Sequence, residues 1–372
     1  MSTSNIPGGG YGDEVTTLVA VHGVVPPYRY PQSELTTAFA ELCLPGGEQV
    51  AALRRLHSNS RVDFRHLALP IERYPELTDL QLTNGAYLTA ANELGADAIE
   101  GALAAAGIEA GEVDLIISTT VTGIAVPSLE ARIAARLGLR PDVIRVPMFG
   151  LGCVAGAAGV ARLHDHLIGH PDQVAVLLSV ELCSLTIQRN DRSMANLVAS
   201  GLFGDGAAAV VAVGAERAAR MAESGRPLGP EVLASRSHLY PDTERTMGWD
   251  VLSTGLKIVL DARVPQLVQR YLGPDIQAFL AEHQLQIDDI TGWVSHPGGP
   301  KVIEAIADAL DLPASALELT WKSLSQVGNL SSASVLHVLA DTLQQRRPPP
   351  GSPGVMMALG PGFCSEFVLL RW

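Results

Sequence analysis

Residues 149–163 read FGLGCVAGAAGVARL, a helix-forming stretch with almost no side chains of its own. No other segment constrains the fold as much. A helix faced with glycine and alanine lets other backbones approach closely on every side, so it belongs at the centre of a packed molecule. DVIRVPM before it reads as a strand, and the helix is expected to run on toward Pro171. A second stretch, GNLSSASVL (328–336), repeats the pattern: a glycine, a side chain able to do chemistry, then small residues. The pair predicts a duplicated fold with Cys153 and Asn329 at matching positions.

Around these helices the chain alternates. VDLIIST (113–119), VIRVPM (143–148), QVAVLLSVEL (173–182) and AAAVVAV (207–213) are strands by length and β-branched content. Residues 83–107 and 128–138 carry helical patterns. The second half repeats the theme with ITGWVSH (290–296), helices over 300–311 and 331–347, and the strands VMMAL and EFVLLRW. This alternation predicts a layered α/β architecture around a buried mixed sheet. Residues 1–14, with three consecutive glycines, are expected to be a disordered segment. Residues 15–222 and 223–372 are expected to be the two halves.

Composition narrows the function classes. With 26 Lys and Arg against 39 Asp and Glu, the formal charge of −13 argues against nucleic acid or an anionic membrane surface as the main partner. Four cysteines without a CxxC spacing, in 372 residues, make neither a disulfide framework nor a structural zinc site. No signal peptide is visible, and no run of about 18 uninterrupted apolar residues suggests a membrane span. A cytoplasmic location is the expectation, with no metal.

Cys153 stands where a nucleophile would. The first turn of a helix offers unpaired N–H groups and the positive end of the dipole, and both favour thiolate over thiol. Gly150 and Gly152 would permit a sharp turn that exposes the sulfur. Of the ten histidines, His296 alone ends an apolar strand and meets a glycine-rich loop, PGGPK, that feeds a helix. Side chains there point into the space where α/β sites form. Asn329 reads equally as a helix N-cap or as an amide aimed at a ligand.

The segments GLGCVAGAAG, SVELCS, LFGDGAAA, SHPGGPKVI, VGNLSSASV and GPGF resemble, in that order, the type III polyketide synthases, the chalcone synthase-like family. The resemblance runs from about residue 17 to Trp372, and the flanking text is most similar to bacterial members that make long-chain alkylpyrones. It implies a thiolase-like fold of two pseudo-duplicated αβαβα halves in five layers, working as a homodimer. It also implies a Cys153–His296–Asn329 site, a thiolate–imidazolium pair at neutral pH, and Phe203 as gatekeeper. Malonyl-CoA and an acyl-CoA would be the substrates, and no cofactor is required.

Coenzyme A would need cations at the tunnel mouth. AALRRLHSNSR (51–61) supplies Arg54 and Arg55, of which Arg55 matches the family best, while a second family cation falls on Asn59. Lys301 is a further candidate. Where plant members carry a second gatekeeper phenylalanine, this chain has Ile258; the family's GFGPG loop reads ALGPG, with Leu359 for phenylalanine. Thr186 falls on a cavity-lining threonine. The aliphatic changes predict a medium- or long-chain fatty acyl starter and closure to an alkyl α-pyrone, since each buried CH2 contributes about 0.8 kcal/mol.

Several alternatives stay open. An alkylresorcinol-forming member differs only in ring closure. A β-ketoacyl synthase III-like enzyme would condense once and use an acyl carrier protein, which could dock on Arg54 and Arg55. A thiolase would need a second cysteine, for which Cys364 is the candidate. A non-catalytic acyl-CoA-binding homologue would lack turnover altogether.

Overall fold

Alternation along the buried strands sets the layering. The computed structural model describes residues 15–372, so the expectation for residues 1–14 lies outside the described residues. In chain order the strands are β1 (Thr16–Val24), β2 (Tyr28–Pro31), β3 (Phe64–Leu67), β4 (Leu115–Thr120), β5 (Ile144–Phe149), β6 (Val174–Leu182) and β7 (Asp205–Gly214). They continue with β8 (Glu231–Leu239), β9 (Met247–Leu252), β10 (Gly255–Leu260), β11 (Gly292–Ser295), β12 (Pro353–Gly360) and β13 (Cys364–Arg371). Nine of these form one sheet in the order β11-β12-β13-β8-β1-β7-β6-β4-β5.

The duplication is written in the pairing. From β4 to β1 the neighbours run parallel (β4·β6), antiparallel (β6·β7) and antiparallel (β7·β1). From β11 to β8 the same sequence recurs: parallel (β11·β12), antiparallel (β12·β13), antiparallel (β13·β8). The two halves join through a short antiparallel seam, Thr16 to Val232 and Thr17 to Glu231. β5 is an additional edge strand on the first half, parallel to β4.

Successive side chains of a strand face opposite sides, and here the two sides enter different cores. On β6, Val176, Leu178 and Val180 pack with the long helix Leu80–Ala106, whereas Ala175 and Leu177 pack with the helix Ala155–Leu167. On β12, Val355 and Met357 face the helices Val264–Glu282 and Pro300–Leu310, whereas Met356 and Ala358 face the centre. Three cores separated by two sheet halves give the expected five layers.

The central layer consists of the helices Ala155–Leu167 and Ser332–Gln345, the two that the sequence singled out. Their closeness depends on a missing side chain. A Cβ added at Gly156 would lie 2.2 Å from the backbone oxygen of Ser332. The first helix ends at Leu167, four residues short of Pro171. Among the described residues, no helix is long and apolar enough to cross a membrane.

Candidate active site

Both central helices begin at one cavity. Gly150 and Gly152 take positive φ values of 95° and 56°, which turn the chain sharply out of β5. Cys153 then sits in a single 3-10 turn, Gly152–Val154, that runs into the helix Ala155–Leu167. β11 ends at Ser295, and His296 follows with its N–H donating to Met357 O at 3.0 Å. Asn329 precedes the helix Ser332–Gln345.

Cys153, His296 and Asn329 line the same cavity, together with Phe203, Ile258 and Leu359. The sequence therefore brings three candidate chemical groups and three candidate wall residues to one place. Most of the remaining wall is apolar, from Leu202, Met247, Leu260, Val302, Ile306 and Met357.

Each polar group has a defined setting. Cys153 Sγ–H donates to Ser331 Oγ at 3.6 Å. The Ser331 N–H donates to Asn329 Oδ1 at 2.8 Å, which commits the carbonyl end of the amide and turns its NH2 end away from that contact. Both ring nitrogens of His296 are buried without a protein partner among the described residues. Asn329 also forms a parallel backbone bridge with Phe203.

Burial corrects one inference from sequence. Burial pushes the Cys153 thiol up to about 12, with its contact to Ser331 acting the other way. The helix start alone suggested the opposite direction. Burial also pushes His296 down to about 3. Each group taken singly is therefore neutral. Moving a proton from thiol to imidazole, however, leaves the net charge of the pair unchanged, so their mutual attraction decides whether an ion pair forms.

Sequence reasoning missed Glu181. It lies within β6 and is fully buried, with Val121 N–H and Thr122 O–H donating to it at 3.1 Å and Ser332 O–H donating from the second half. Burial pushes its carboxyl up to about 7, opposed by these hydrogen bonds. A lone carboxylate inside the apolar run VAVLLSVEL was the available signal. Trp249 and Met247 were missed as well; both come from β9, whose hairpin with β10 covers the cavity.

The other candidates lie elsewhere. Thr186 is outside this cavity, in a small adjoining space that shares Phe203, Trp249 and Ile258 as a common wall. Its hydroxyl donates to Cys183 O at 2.8 Å. Arg54 and Arg55 are exposed on the helix Val50–Asn59 and do not line the cavity. Lys301 is exposed and does not line the cavity, although its sequence neighbour Val302 does. Arg61 pairs with Glu304 at 3.6 Å, one turn from Lys301 on the same helix. Cys364 is outside the lining, and its thiol donates to Pro361 O at 2.9 Å.

Comparison with known proteins agrees with this architecture. Residues 11–217 match the family model for chalcone and stilbene synthases, N-terminal domain, and residues 231–372 the model for the C-terminal domain. The chain is 57% identical to a 1,3,6,8-tetrahydroxynaphthalene synthase of Streptomyces peucetius subsp. caesius, over 97% of this chain and 94% of that protein. It is 30% identical to the alpha-pyrone synthesis polyketide synthase-like Pks18 of Mycobacterium tuberculosis, over 95% of this chain and 91% of that protein. Similarity to the naphthalene-forming relative thus exceeds that to the pyrone-forming one. The crystal structure of 1,3,6,8-tetrahydroxynaphthalene synthase from Streptomyces coelicolor, a bacterial type III polyketide synthase, superposes with a TM-score of 0.88 at 29% identity, covering 96% of this chain and 99% of that one. The chain belongs to the chalcone and stilbene synthase family and is a type III polyketide synthase, an acyltransferase.

Proposed function

We propose that this synthase builds a poly-β-ketone from malonyl-CoA on Cys153 and closes it to a polyhydroxylated aromatic of the tetrahydroxynaphthalene type. The observation that carries this reading is the 57% identity over nearly the whole chain to a synthase named for that product. 1,3,6,8-Tetrahydroxynaphthalene has oxygens on alternating carbons of its rings, the pattern that head-to-tail two-carbon units leave behind.

In this reading His296 takes the Cys153 proton, and the thiolate attacks the thioester carbonyl of the starter. A carbon–sulfur bond forms and coenzyme A leaves with a proton. Malonyl-CoA then loses CO2, and the electron pair of the broken C–C bond becomes a thioester enolate. The Asn329 NH2 group and the His296 ring N–H stabilise its oxygen, a task typically worth about 3 kcal/mol per donor. Asn329 suits it because the Ser331 N–H already holds the other end of the amide. The enolate carbon attacks the acyl group, a C–C bond forms, and the Cys153 thiolate is released for the next cycle. Lys301, Arg61, Arg54 and Arg55 are the exposed cations proposed to meet the phosphates of coenzyme A.

A second reading keeps the fatty acyl starter and the alkyl α-pyrone. The aliphatic wall of Ile258, Leu260, Val302, Ile306 and Leu359 supports it. The two separate by product analysis. Malonyl-CoA alone should give an aromatic product in the first, whereas octanoyl- or palmitoyl-CoA should be required and incorporated in the second.

The proposed homodimer would form along β5. This edge strand pairs only with β4 among the described residues, and it leaves Ile144, Val146 and Phe149 exposed. An uncovered apolar edge of this kind invites a second strand. A two-fold axis would supply the same strand from a second copy.

A further inference from the structure

The wall of the cavity holds one hydroxyl with no assigned task. Ser295 is the last residue of β11, next to His296, and lines the cavity. Its Oγ is buried and has no hydrogen-bond partner among the described residues. Its direction follows from register. Ser295 pairs with Met357 in the parallel ladder between β11 and β12, so the two side chains share a face. That face is the outer core of the second half, where Met357 and Leu359 border the cavity opposite Val302 and Ile306.

A buried hydroxyl among aliphatic side chains is destabilising unless it is paired, and nearly all such groups in folded proteins have a partner. The backbone on either side is already satisfied: Thr320 O–H donates to Ser295 O at 3.1 Å, and His296 N–H to Met357 O. Only the side-chain oxygen is left over, on a residue that lines the cavity.

We infer that Ser295 is a specificity residue whose hydroxyl donates a hydrogen bond to a carbonyl oxygen of the elongating chain. It thereby makes the recess fit a malonyl-built poly-β-ketone over a plain alkyl chain. This rests on the reading that Cys153 carries the chain. A poly-β-ketone places an oxygen on every second carbon, so one comes within reach of a fixed donor as the chain fills the recess. An alkyl chain offers none and would leave Ser295 unpaired. A site built to pair with a substrate oxygen discriminates against the analogue that lacks it.

The test compares wild type with Ser295→Ala and with Ser295→Cys, which has nearly the same shape and a much weaker donor. Each is given malonyl-CoA with and without octanoyl-CoA, and products are quantified by mass spectrometry. Malonyl-CoA decarboxylation, Cys153 acylation and the thermal midpoint are recorded in parallel. The ratio of all-malonyl to octanoyl-started or prematurely released products should fall roughly three- to ten-fold in both variants. Decarboxylation and acylation should stay within about two-fold of wild type, the margin below which no hydrogen bond is at stake. The thermal midpoint of Ser295→Ala should hold or rise, because the hydroxyl removed has no protein partner. Unchanged product ratios, with all products still dependent on Cys153, would overturn the Ser295 assignment alone. So would a lowered midpoint in Ser295→Ala, which would reveal a structural partner. Products that survive Cys153→Ala would overturn the underlying reading of the site and this assignment with it.

Discussion

Phe203 and Asn329 are tied through their backbones. The Asn329 N–H donates to Leu202 O and the Gly204 N–H donates to Asn329 O, both at 2.9 Å, in a parallel bridge between the two halves of the molecule. Arg65 adds a third restraint by donating to Phe203 O at 2.9 Å. The aromatic side chain proposed as gatekeeper and the amide proposed to hold the enolate are thus held as one unit, which would fix where a substrate meets its donor.

Asn329→Asp should separate the two ends of the amide. The variant keeps an acceptor for the Ser331 N–H and loses the NH2 donor. Malonyl-CoA decarboxylation is expected to fall about 10²- to 10³-fold, the usual effect of removing one such donor. Alkylation of Cys153 by iodoacetamide should change little. A variant that decarboxylates at the wild-type rate would show that the amide only caps the helix.

Cys153 should depend on His296 for its reactivity. Without the imidazole as proton acceptor, burial holds the thiol near the high value of about 12. His296→Gln is therefore expected to slow alkylation at pH 7 by about ten-fold or more, and the residual rate should climb with pH past 9 as thiolate accumulates. Equal rates at pH 7 in variant and wild type would mean that the helix start alone activates the sulfur.

Gly156→Ala tests the contact between the halves. Its Cβ would meet the Ser332 backbone oxygen at 2.2 Å, so one of the two central helices has to move. Overpacking of this kind typically costs about 1–3 kcal/mol. Because Ser332 follows Asn329 and Ser331, activity should fall along with the unfolding midpoint. A midpoint equal to wild type would contradict the close packing described above.

His57 makes a pH-dependent contribution. It is buried between Thr36 Oγ1 (2.8 Å from Nδ1) and Ser200 Oγ (3.0 Å from Nε2), and burial, then the charge of Arg65, pushes its pKa down to about 3. The folded state therefore prefers neutral imidazole. Its stabilisation is complete above the unfolded value near 6.5 and is lost as the pH falls toward 3. The stability difference between wild type and His57→Gln should shrink by about 1.4 kcal/mol between pH 7.5 and 5.5. Denaturant titrations at the two pH values would measure it, and a constant difference would refute the assignment.

Much of this was legible before the fold was known, and the reasons are physical. β6 is buried at every one of its residues, so a continuous apolar run announced it. Cys153 and Asn329 were marked by the small residues that a central helix requires. The β9–β10 hairpin was not legible: only Gly255, Leu256 and Ile258 of GWDVLSTGLKIV are buried, its glycines and charges break any apolar run, and only folding brings Trp249 to the cavity. The direction of the Cys153 shift was misread because burial depends on layers contributed by both halves. Arg54 and Arg55 were singled out by their match to the family's coenzyme A-binding cations; both are exposed on the helix Val50–Asn59 and stand outside the cavity lining.

The central claim is iterative condensation on Cys153, and incubation of the purified protein with malonyl-CoA alone tests it most directly. Wild type and Cys153→Ala would be compared, with products identified by mass spectrometry. A polyhydroxylated aromatic of four or more two-carbon units, absent from the variant, is the predicted result. A single-condensation product, or the same aromatic from Cys153→Ala, would contradict the account.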